Sequence, residues 1–178
     1  MIHVLMLCTG NICRSPIAEG WLRAHADKIG LSEQIYVDSA GTTDYHVGEP
    51  PDRRAQQVMR ARGIEIGGLR ARKLRLTDLE QFHYLLAMDD DHLSLLQHSA
   101  QQVQSPGKIH RIMAFSPGWK LQEVPDPYYG GQRGFIQVVD MLEAATRGFL
   151  THLRESHFEV QEVAMNPRAV QRPHAMNG

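Results

Sequence analysis

Cysteine is scarce in this sequence. Its 178 residues include only two cysteines, Cys8 and Cys13. A disulfide between them would close a loop too small to stabilise a fold appreciably. A disulfide framework of the kind found in small secreted proteins is therefore excluded, and free thiols favour a reducing compartment. We accordingly predict a cytoplasmic protein.

An excess of one charge and long apolar runs are lacking as well. The formal net charge is −1, whereas nucleic-acid-binding proteins usually carry a marked basic excess, so we expect no nucleic-acid partner. No apolar run approaches the roughly 20 residues of a membrane-spanning helix, so we expect no membrane insertion. Residues 1–7 are apolar but lack the basic start and the cleavage site of a signal peptide, which favours a buried first strand.

Short apolar runs alternate with longer segments of helical periodicity. Predicted strands cover residues 2–7, 35–38, 84–88 and 109–112. Predicted helices cover residues 15–29, 52–62 and 135–153, a segment from residue 89 or 90 to 96, and a short helix capped by Thr77. Residues 39–51 and 116–131 are predicted loops. This alternation predicts an α/β fold in which helices cover both faces of a parallel sheet.

The chain is long enough for one domain with its own core. We expect this domain to cover residues 1–154. After residue 156 the apolar periodicity fades, so residues 155–178 are predicted to form a flexible C-terminal tail.

The segment between the first strand and the first helix has a pattern suited to a phosphate group. Ligands of parallel sheets bind at the carboxyl ends of strands, where this segment lies. Its backbone N–H groups and the positive end of the following helix can surround a tetrahedral dianion, and Arg14 can grip two of its oxygens. We call this segment the phosphate loop. Its members are Cys8, Thr9, Gly10, Asn11, Ile12, Cys13, Arg14 and Ser15.

Cys8 opens the phosphate loop. Positive surroundings favour the thiolate, which is the nucleophilic form of cysteine, so Cys8 can attack phosphorus. Ser15 can donate a hydrogen bond to the sulfur, while Gly10 and Asn11 tolerate the left-handed backbone angles of a tight loop. The alternative is that Cys8 is an ordinary core residue, since cysteine is among the most buried residue types.

Several motifs resemble, in the right order, those of the low-molecular-weight protein tyrosine phosphatases. Residues 8–16 match the family loop Cys-x-Gly-Asn-Ile-Cys-Arg-Ser-Pro, and further matches lie at residues 37–42, 47–48, 51–55, 88–89 and 126–130. The resemblance covers about residues 1–154 and implies a four-stranded, Rossmann-like parallel twisted sheet. It also implies hydrolysis of phosphotyrosine in protein substrates through a cysteinyl-phosphate, with inorganic phosphate as product and without metal or other cofactor. We expect a monomer or a weak dimer.

The resemblance also implies roles for individual residues. Cys8 is the nucleophile, Arg14 binds the phosphoryl group, and Asp126 is the general acid and then the base, a contribution of about 10²–10⁴-fold. The alternative for Asp126 is a turn aspartate before Pro127, a common local arrangement. The supporting roles are hydrogen bonds from Asn11 and Ser39 that hold the loop, aromatic side chains at the cleft from Tyr45, Tyr128 and Tyr129, and a reversible disulfide of Cys8 with Cys13.

The sequence departs from the family pattern at one place. Many members carry a histidine shortly before an Ala-Arg pair, and here Leu69 stands in its position, before Ala71 and Arg72. We expect the hydrogen bonds that support the phosphate loop to be rearranged. The ten histidines show no metal-ligand spacing and are predicted to be surface or structural residues. The basic residues between positions 70 and 75 and the three aspartates at 89–91 are predicted to be solvated.

Three other functions were weighed against a tyrosine phosphatase. An arsenate reductase needs further downstream cysteines, and none follows Cys13. Protein arginine phosphatases tend to have threonine at the position of Ile12, so Ile12 and the Asp-Pro-Tyr-Tyr segment at 126–129 favour tyrosine. A non-catalytic phosphoprotein-binding module would keep Arg14 but could dispense with Cys8 and Asp126, both of which are present.

Overall fold

Four strands form the sheet of the computed structural model, which describes residues 1–158. They are β1 (Ile2–Cys8), β2 (Ile35–Gly41), β3 (Tyr84–Ala87) and β4 (Lys108–Arg111). Their spatial order is β2-β1-β3-β4, and all neighbouring strands are parallel. The predicted four-stranded parallel sheet is therefore confirmed. Its order places the carboxyl end of β1, where the phosphate loop begins, between two other strands.

Helices cover both faces of the sheet. They are α1 (Arg14–Lys28), α2 (Arg53–Ala61), α3 (Leu76–Gln81), α4 (Asp90–Val103) and α5 (Gln132–Leu153). Successive side chains of a strand point to opposite faces. Val4 and Met6 of β1 accordingly pack into the core that includes α1, α2 and α5, whereas Leu5 and Leu7 pack with α3 and α4. Burial on both faces explains why β1 reads as a continuous apolar run.

Strand β2 is longer than predicted. It continues through Gly41, where it pairs with Cys8 of β1, and Gly41 donates its N–H to the carbonyl of Arg72. Ser39 therefore lies in a strand and not in the predicted loop over residues 39–51. The carboxyl ends of β1 and β2 thus meet directly beside the phosphate loop.

Three helices differ by more than one residue from their predicted limits. Helix α5 begins three residues early, at Gln132. Helix α3 begins one residue before Thr77 because the backbone N–H of Arg75 donates to Asp78 Oδ2 at 2.8 Å, which caps the helix from its own first turn. Helix α4 continues past the predicted residue 96 to Val103. The C-cap residue after its end is Gln104, whose φ of 51° is left-handed.

The predicted tail begins at residue 155, but helical structure continues through a π-helical segment, Arg154–Phe158. In this segment His157 Nε2 lies 2.8 Å from the hydroxyl of Tyr84. The rest of the predicted tail, residues 159–178, lies outside the described residues, so the domain boundary stays a prediction. No helix within residues 1–158 is long and apolar enough to cross a membrane.

Candidate active site

Cys8, Arg14 and Asp126 line one cavity at the carboxyl end of β1. Cys8 is the last residue of β1 and is 3% exposed, and Arg14 is the first residue of α1. Asp126 reaches the cavity from the loop that precedes α5. The structure therefore brings together the three residues to which the sequence assigns chemistry.

Backbone conformation explains two residue choices in and near the phosphate loop. Asn11 has a left-handed φ of 57°, as expected, whereas Gly10 does not adopt this conformation. Gly10 is small for another reason, because a Cβ at that position would lie 3.0 Å from Cδ2 of His46. A Cβ at Gly41 would lie 2.6 Å from the carbonyl oxygen of Thr9, so glycine at the end of β2 lets the loop approach the strand.

The side chain of Asn11 holds the phosphate loop from within. Its Nδ2 donates to Ser15 Oγ at 2.8 Å and to Ser39 Oγ at 2.9 Å. Its Oδ1 accepts from the backbone N–H of Arg72 at 2.9 Å. Ser15 Oγ accepts from Asn11 and lies 3.0 Å from Cys8 Sγ, so its own proton is available for donation to the sulfur. Asn11 and Ser39 thus occupy the loop-holding positions that the sequence predicted.

Glu19 extends this network, and sequence reasoning missed it. Ser39 Oγ donates to Glu19 Oε2 at 2.6 Å, and Arg23 lies 2.6 Å from the other carboxylate oxygen. Burial raises the pKa of Glu19, although the Ser39 hydroxyl and the Arg23 charge oppose this effect. Its position inside α1 gave no signal of a polar partner, since that partner comes from β2.

Arg72 supports the phosphate loop through its backbone. The rearrangement expected from Leu69 stays a prediction. Leu69 packs against the apolar core, and the backbone of Arg72 supplies the donor to Asn11. The Arg72 guanidinium binds Asp38 and Asp78, each at 2.8 Å, and is partly buried. The prediction that the whole basic segment is a solvated surface is therefore wrong for Arg72, because two aspartates lie within its reach.

Arg14 is held on two sides. Its Nη1 donates to Asp89 Oδ2 at 2.8 Å and to the carbonyl of Val124 at 3.1 Å, and its Nη2 donates to Thr9 Oγ1 at 3.3 Å. These bonds use three of the five N–H donors of the guanidinium. The remaining pair, on Nε and Nη2, suits two oxygens of one phosphoryl group.

Asp89 and His92 support this arrangement. Asp89 was misread from the sequence, whereas His92 agrees with the prediction of surface or structural histidines. Asp89 caps α4, as predicted, but its contact with Arg14 makes it part of the site rather than a solvated residue. His92 is buried, and its Nε2 lies 2.9 Å from Thr9 Oγ1. Although burial opposes it, contacts with His92 and Arg14 hold the pKa of Asp89 well below its usual range.

Asp126 lies above Arg14 on an exposed turn. Its side chain is 44% exposed, and Oδ2 is 3.6 Å from Arg14 Nη2. Oδ1 accepts from the backbone N–H of Tyr128 at 3.1 Å, as in a turn aspartate. Asp126 also lines the cavity, so the turn role and a position in the site are compatible. The loop is anchored just before this turn, where Val124 donates its N–H to the carbonyl of Met88 at 2.8 Å.

Arg54 fixes the other side of this turn, and sequence reasoning did not predict it. Its guanidinium donates to the carbonyls of Tyr128 and Gly130, each at 3.0 Å, and binds Asp52. The bond to Arg54 lowers the pKa of Asp52, so the pair stays charged. Arg54 therefore connects the start of α2 to the loop that carries Asp126.

We call the outer rim of the cavity the mouth. Tyr45 and Tyr129 are 81% and 91% exposed, and Tyr128 stands edge-on to Tyr129 with ring centroids 5.0 Å apart. His46 also lines the cavity, and its Nδ1 lies 2.7 Å from Glu49. The three predicted tyrosines thus lie at the cavity. His46, predicted like the other histidines to be a surface or structural residue, is a partly exposed residue of the cavity rim. The members of the mouth are Tyr45, His46, Tyr128 and Tyr129.

Cys13 lines the same cavity as Cys8, and both thiols are buried and free. Burial strongly raises the pKa of the Cys13 thiol, and the neighbouring Asp52 adds to this effect. Cys13 therefore stays protonated. Among residues 1–158, no group of three or more His, Cys, Asp or Glu side chains is arranged to hold a metal ion.

A model of the low molecular weight phosphotyrosine protein phosphatase family matches residues 3–159. The chain belongs to this family. The human low molecular weight phosphotyrosine protein phosphatase is 38% identical over 148 residues, which cover 83% of this chain and 92% of the human protein. The family resemblance drawn from the motifs is thereby confirmed.

Solved structures of relatives share the fold. The crystal structure of YfkJ from Bacillus subtilis has a TM-score of 0.82 at 36% identity and covers 88% of this chain and 97% of its own. The Drosophila arginine phosphatase has a TM-score of 0.81 at 32% identity and covers 86% of this chain and 98% of its own. One scaffold therefore includes proteins named for different phosphorylated residues.

Proposed function

We propose that the chain is a protein tyrosine phosphatase that hydrolyses phosphotyrosine, an aryl phosphate monoester, through a cysteinyl-phosphate on Cys8. One observation supports this most: Cys8, Arg14 and Asp126 line the same cavity, with the Ser15 hydroxyl 3.0 Å from the Cys8 sulfur. The arrangement provides a nucleophile, an anion-binding group and a proton donor around one space.

In the first step the Cys8 thiolate attacks phosphorus. The sulfur–phosphorus bond forms while the bond from phosphorus to the tyrosine oxygen breaks, and Asp126 gives its proton to that oxygen. Arg14 binds two phosphoryl oxygens, and the backbone N–H groups of the phosphate loop surround the group. The exposed position of Asp126 at the rim suits the departing side chain.

In the second step Asp126, now a carboxylate, takes a proton from the water that attacks phosphorus. The phosphorus–sulfur bond breaks, its electron pair returns to Cys8, and inorganic phosphate leaves. The Ser15 hydroxyl donates to the sulfur as negative charge returns to it. Asn11 keeps this hydroxyl in the donating orientation.

Hydrolysis of p-nitrophenyl phosphate tests the mechanism. We expect Cys8→Ser to lower kcat by about 10⁴-fold or more, and Asp126→Ala to lower it by about 10²-fold. Asp91→Ala, at an exposed position of α4, serves as the control for the second variant. Full activity of Cys8→Ser contradicts the cysteinyl-phosphate, whereas normal activity of Asp126→Ala contradicts only the acid assignment.

Arginine phosphatase activity is the second candidate, because the Drosophila protein of that name shares the fold at 32% identity. Ile12 and the tyrosines of the mouth favour an aryl phosphate over phosphoarginine, since aromatic side chains stack well on a phenyl ring. We expect hydrolysis of phosphotyrosine in preference to phosphoarginine in peptides of one sequence. Ile12→Thr should shift the ratio toward phosphoarginine, and a preference for phosphoarginine in the unmodified protein contradicts the tyrosine assignment.

The two remaining alternatives receive less support. An arsenate reductase would need cysteines beyond Cys13, and the sequence has none. A phosphoprotein-binding module would not need Cys8 and Asp126 beside Arg14. Turnover of p-nitrophenyl phosphate by the unmodified protein, lost in Cys8→Ser, distinguishes the phosphatase from this module.

We also propose that a disulfide between Cys8 and Cys13 protects the nucleophile in the reducing cytoplasm, where two free thiols suit the protein. Peroxide oxidises the Cys8 thiolate to sulfenic acid and releases hydroxide. Cys13 gives its thiol proton to the departing hydroxide as its sulfur attacks the Cys8 sulfur, so the disulfide forms and water leaves. Mass spectrometry of peroxide-treated protein should show a crosslinked peptide that reductant separates. Cys8 sulfinic acid without a crosslink contradicts this proposal.

A further inference from the structure

His92 contacts the phosphate loop, but the mechanism proposed above does not use it. The side chain is 3% exposed at the start of α4. Its Nε2 lies 2.9 Å from Thr9 Oγ1, and its Nδ1 lies 2.9 Å from Asp89 Oδ1. Thr9 and Asp89 both accept hydrogen bonds from Arg14. His92, Thr9, Arg14 and Asp89 therefore form a closed ring of contacts that includes the phosphate-binding guanidinium.

The geometry at Nδ1 decides where a neutral His92 ring carries its proton. The contact with Asp89 is short but too bent for a well-formed hydrogen bond, so Nδ1 has no aligned partner among the described residues. A lone pair on Nδ1 would nevertheless face a carboxylate oxygen at 2.9 Å, which is repulsive. The proton of the neutral ring therefore lies on Nδ1, and Nε2 accepts the hydroxyl proton of Thr9.

We propose that His92 is a positioning residue whose protonation turns the Thr9 hydroxyl into a donor for the bound phosphoryl group. When Nε2 takes a proton from solvent, its new N–H donates to Thr9 Oγ1. Thr9 then no longer donates its hydroxyl proton to His92. Because Thr9 lines the cavity, the hydroxyl can donate to a phosphoryl group bound there. Phosphate binding should therefore strengthen as His92 becomes protonated. This inference rests on the proposed function, since it assumes that the loop binds phosphate.

Charged groups around His92 come from three elements. Asp89, at the N-cap of α4, is close to the ring and favours its protonated form. Arg14 of α1 touches the two partners of His92 and opposes that form through its charge. Asp126, from the loop before α5, lies 3.6 Å from Arg14 Nη2 and partly offsets it. Groups of opposite charge therefore lie around the ring on three different elements.

Calorimetry with inorganic phosphate tests the inference without turnover. The binding is measured in Cys8→Ser protein with either His92 or His92→Gln, from about pH 5.5 to pH 8, the range in which histidine titrates. Glutamine can reach Thr9 but does not titrate. We expect the affinity advantage of the His92 protein to grow by about 3–10-fold as the pH falls. Phosphate itself also titrates in this range, but this affects both proteins equally and cancels in the ratio of their two affinities.

Two further variants complete the experiment. Thr9→Val keeps the ring but removes the hydroxyl, so its phosphate binding should lack this pH-dependent gain, and it replaces His92→Gln if that variant fails to fold. His98→Gln, at an exposed position of the same helix, should behave like the parent protein. If the ratio of the phosphate affinities of the His92 and His92→Gln proteins is constant with pH, the role of His92 is contradicted, while the proposed phosphatase function is not. Absence of phosphate binding in the parent protein contradicts the phosphate loop as proposed, and this inference with it.

Discussion

The phosphate loop and the mouth line the same cavity but are held very differently. In the loop, Asn11, Arg14 and Ser15 are buried and bonded to distant parts of the chain. In the mouth, Tyr45 and Tyr129 are almost fully exposed. Buried polar networks rigidify a structure, whereas exposed loop residues can change partner. The difference teaches that the phosphate group is recognised by a rigid part and the rest of the substrate by an adaptable one.

After Cys8→Ser, the largest effect should come from Arg14→Lys. Lysine keeps the charge but cannot hold Asp89 and the Val124 carbonyl while presenting two parallel N–H groups to a phosphoryl group. We expect kcat/KM for p-nitrophenyl phosphate to fall by about 10²–10³-fold. Arg53→Lys, at the exposed first residue of α2, is the control and should change little. A loss of less than about threefold in Arg14→Lys would mean that charge alone is sufficient.

A smaller effect is expected from Asn11→Ala. It removes one buried partner from Ser15 and one from Ser39 and leaves the Arg72 N–H without its acceptor, so the free energy of unfolding should fall by about 1–3 kcal/mol and kcat by about tenfold. Urea denaturation and steady-state assays measure the two. Gln104→Ala is a matched control, because Gln104 has a similar φ of 51° but lies at the exposed end of α4. Equal losses in both variants would assign the effect to backbone strain instead of the network.

Glu19→Gln tests the buried network of Glu19 and Ser39 through the pH dependence of the free energy of unfolding. Burial raises the pKa of Glu19 in the folded state above its reference value of 4.5. The folded protein then binds the proton more strongly, so this residue's contribution to stability is complete below pH 4.5 and is lost as the pH rises through the folded pKa. The stability difference between the unmodified protein and Glu19→Gln should therefore decrease with rising pH.

Glu65→Gln provides the opposite slope as a control. The bond to Arg60 lowers the pKa of Glu65, so its contribution is present above the unfolded pKa and is lost as the pH falls through the folded one. Urea denaturation at a series of pH values measures both differences. Parallel slopes for the two variants would contradict the assignment of Glu19 to a buried network.

The smallest effect should come from Tyr129→Ala in the mouth. The side chain is 91% exposed, so stability should change by less than about 0.5 kcal/mol. Loss of one aromatic contact should raise KM for a phosphotyrosine peptide by about threefold and leave kcat unchanged. Tyr36→Phe, on β2 outside the cavity, is the control. A large fall in kcat would show that the mouth acts in the chemical step and would remove the distinction from the phosphate loop.

Local signals explain which parts were predicted from the sequence. The apolar run of β1, Pro16 in the first turn of α1 and the eight-residue pattern between them lie side by side in the chain. They produce a strand, a helix and a tight loop at the carboxyl edge of the sheet. Each of these can be predicted without knowing which distant residues it contacts. Asn11 could likewise be assigned a left-handed conformation because few residue types tolerate it.

Non-local contacts explain what was missed. Arg14 and Asp89 are 75 positions apart, and Thr9 and His92 are 83 apart. Nothing near Asp89 in the sequence indicates that a guanidinium lies beside it, so it read as a solvated helix cap. The strand position of Ser39 and the ion pairs of Arg72 were missed for the same reason, since each depends on parts of the chain that the fold brings together.

The sequence by itself determined the order of strands and helices, the nucleophile pattern of the phosphate loop and the family, because these depend on residue types at short spacing. The tertiary structure alone decided which charges meet. Parallel pairing of β1 with β2 and β3 brings Ser39 and Asp89 beside the loop, and the anchored Val124 segment brings Asp126 over Arg14. Side chains that cooperate at one phosphate group are assembled by sheet register and loop anchoring, which no local pattern records.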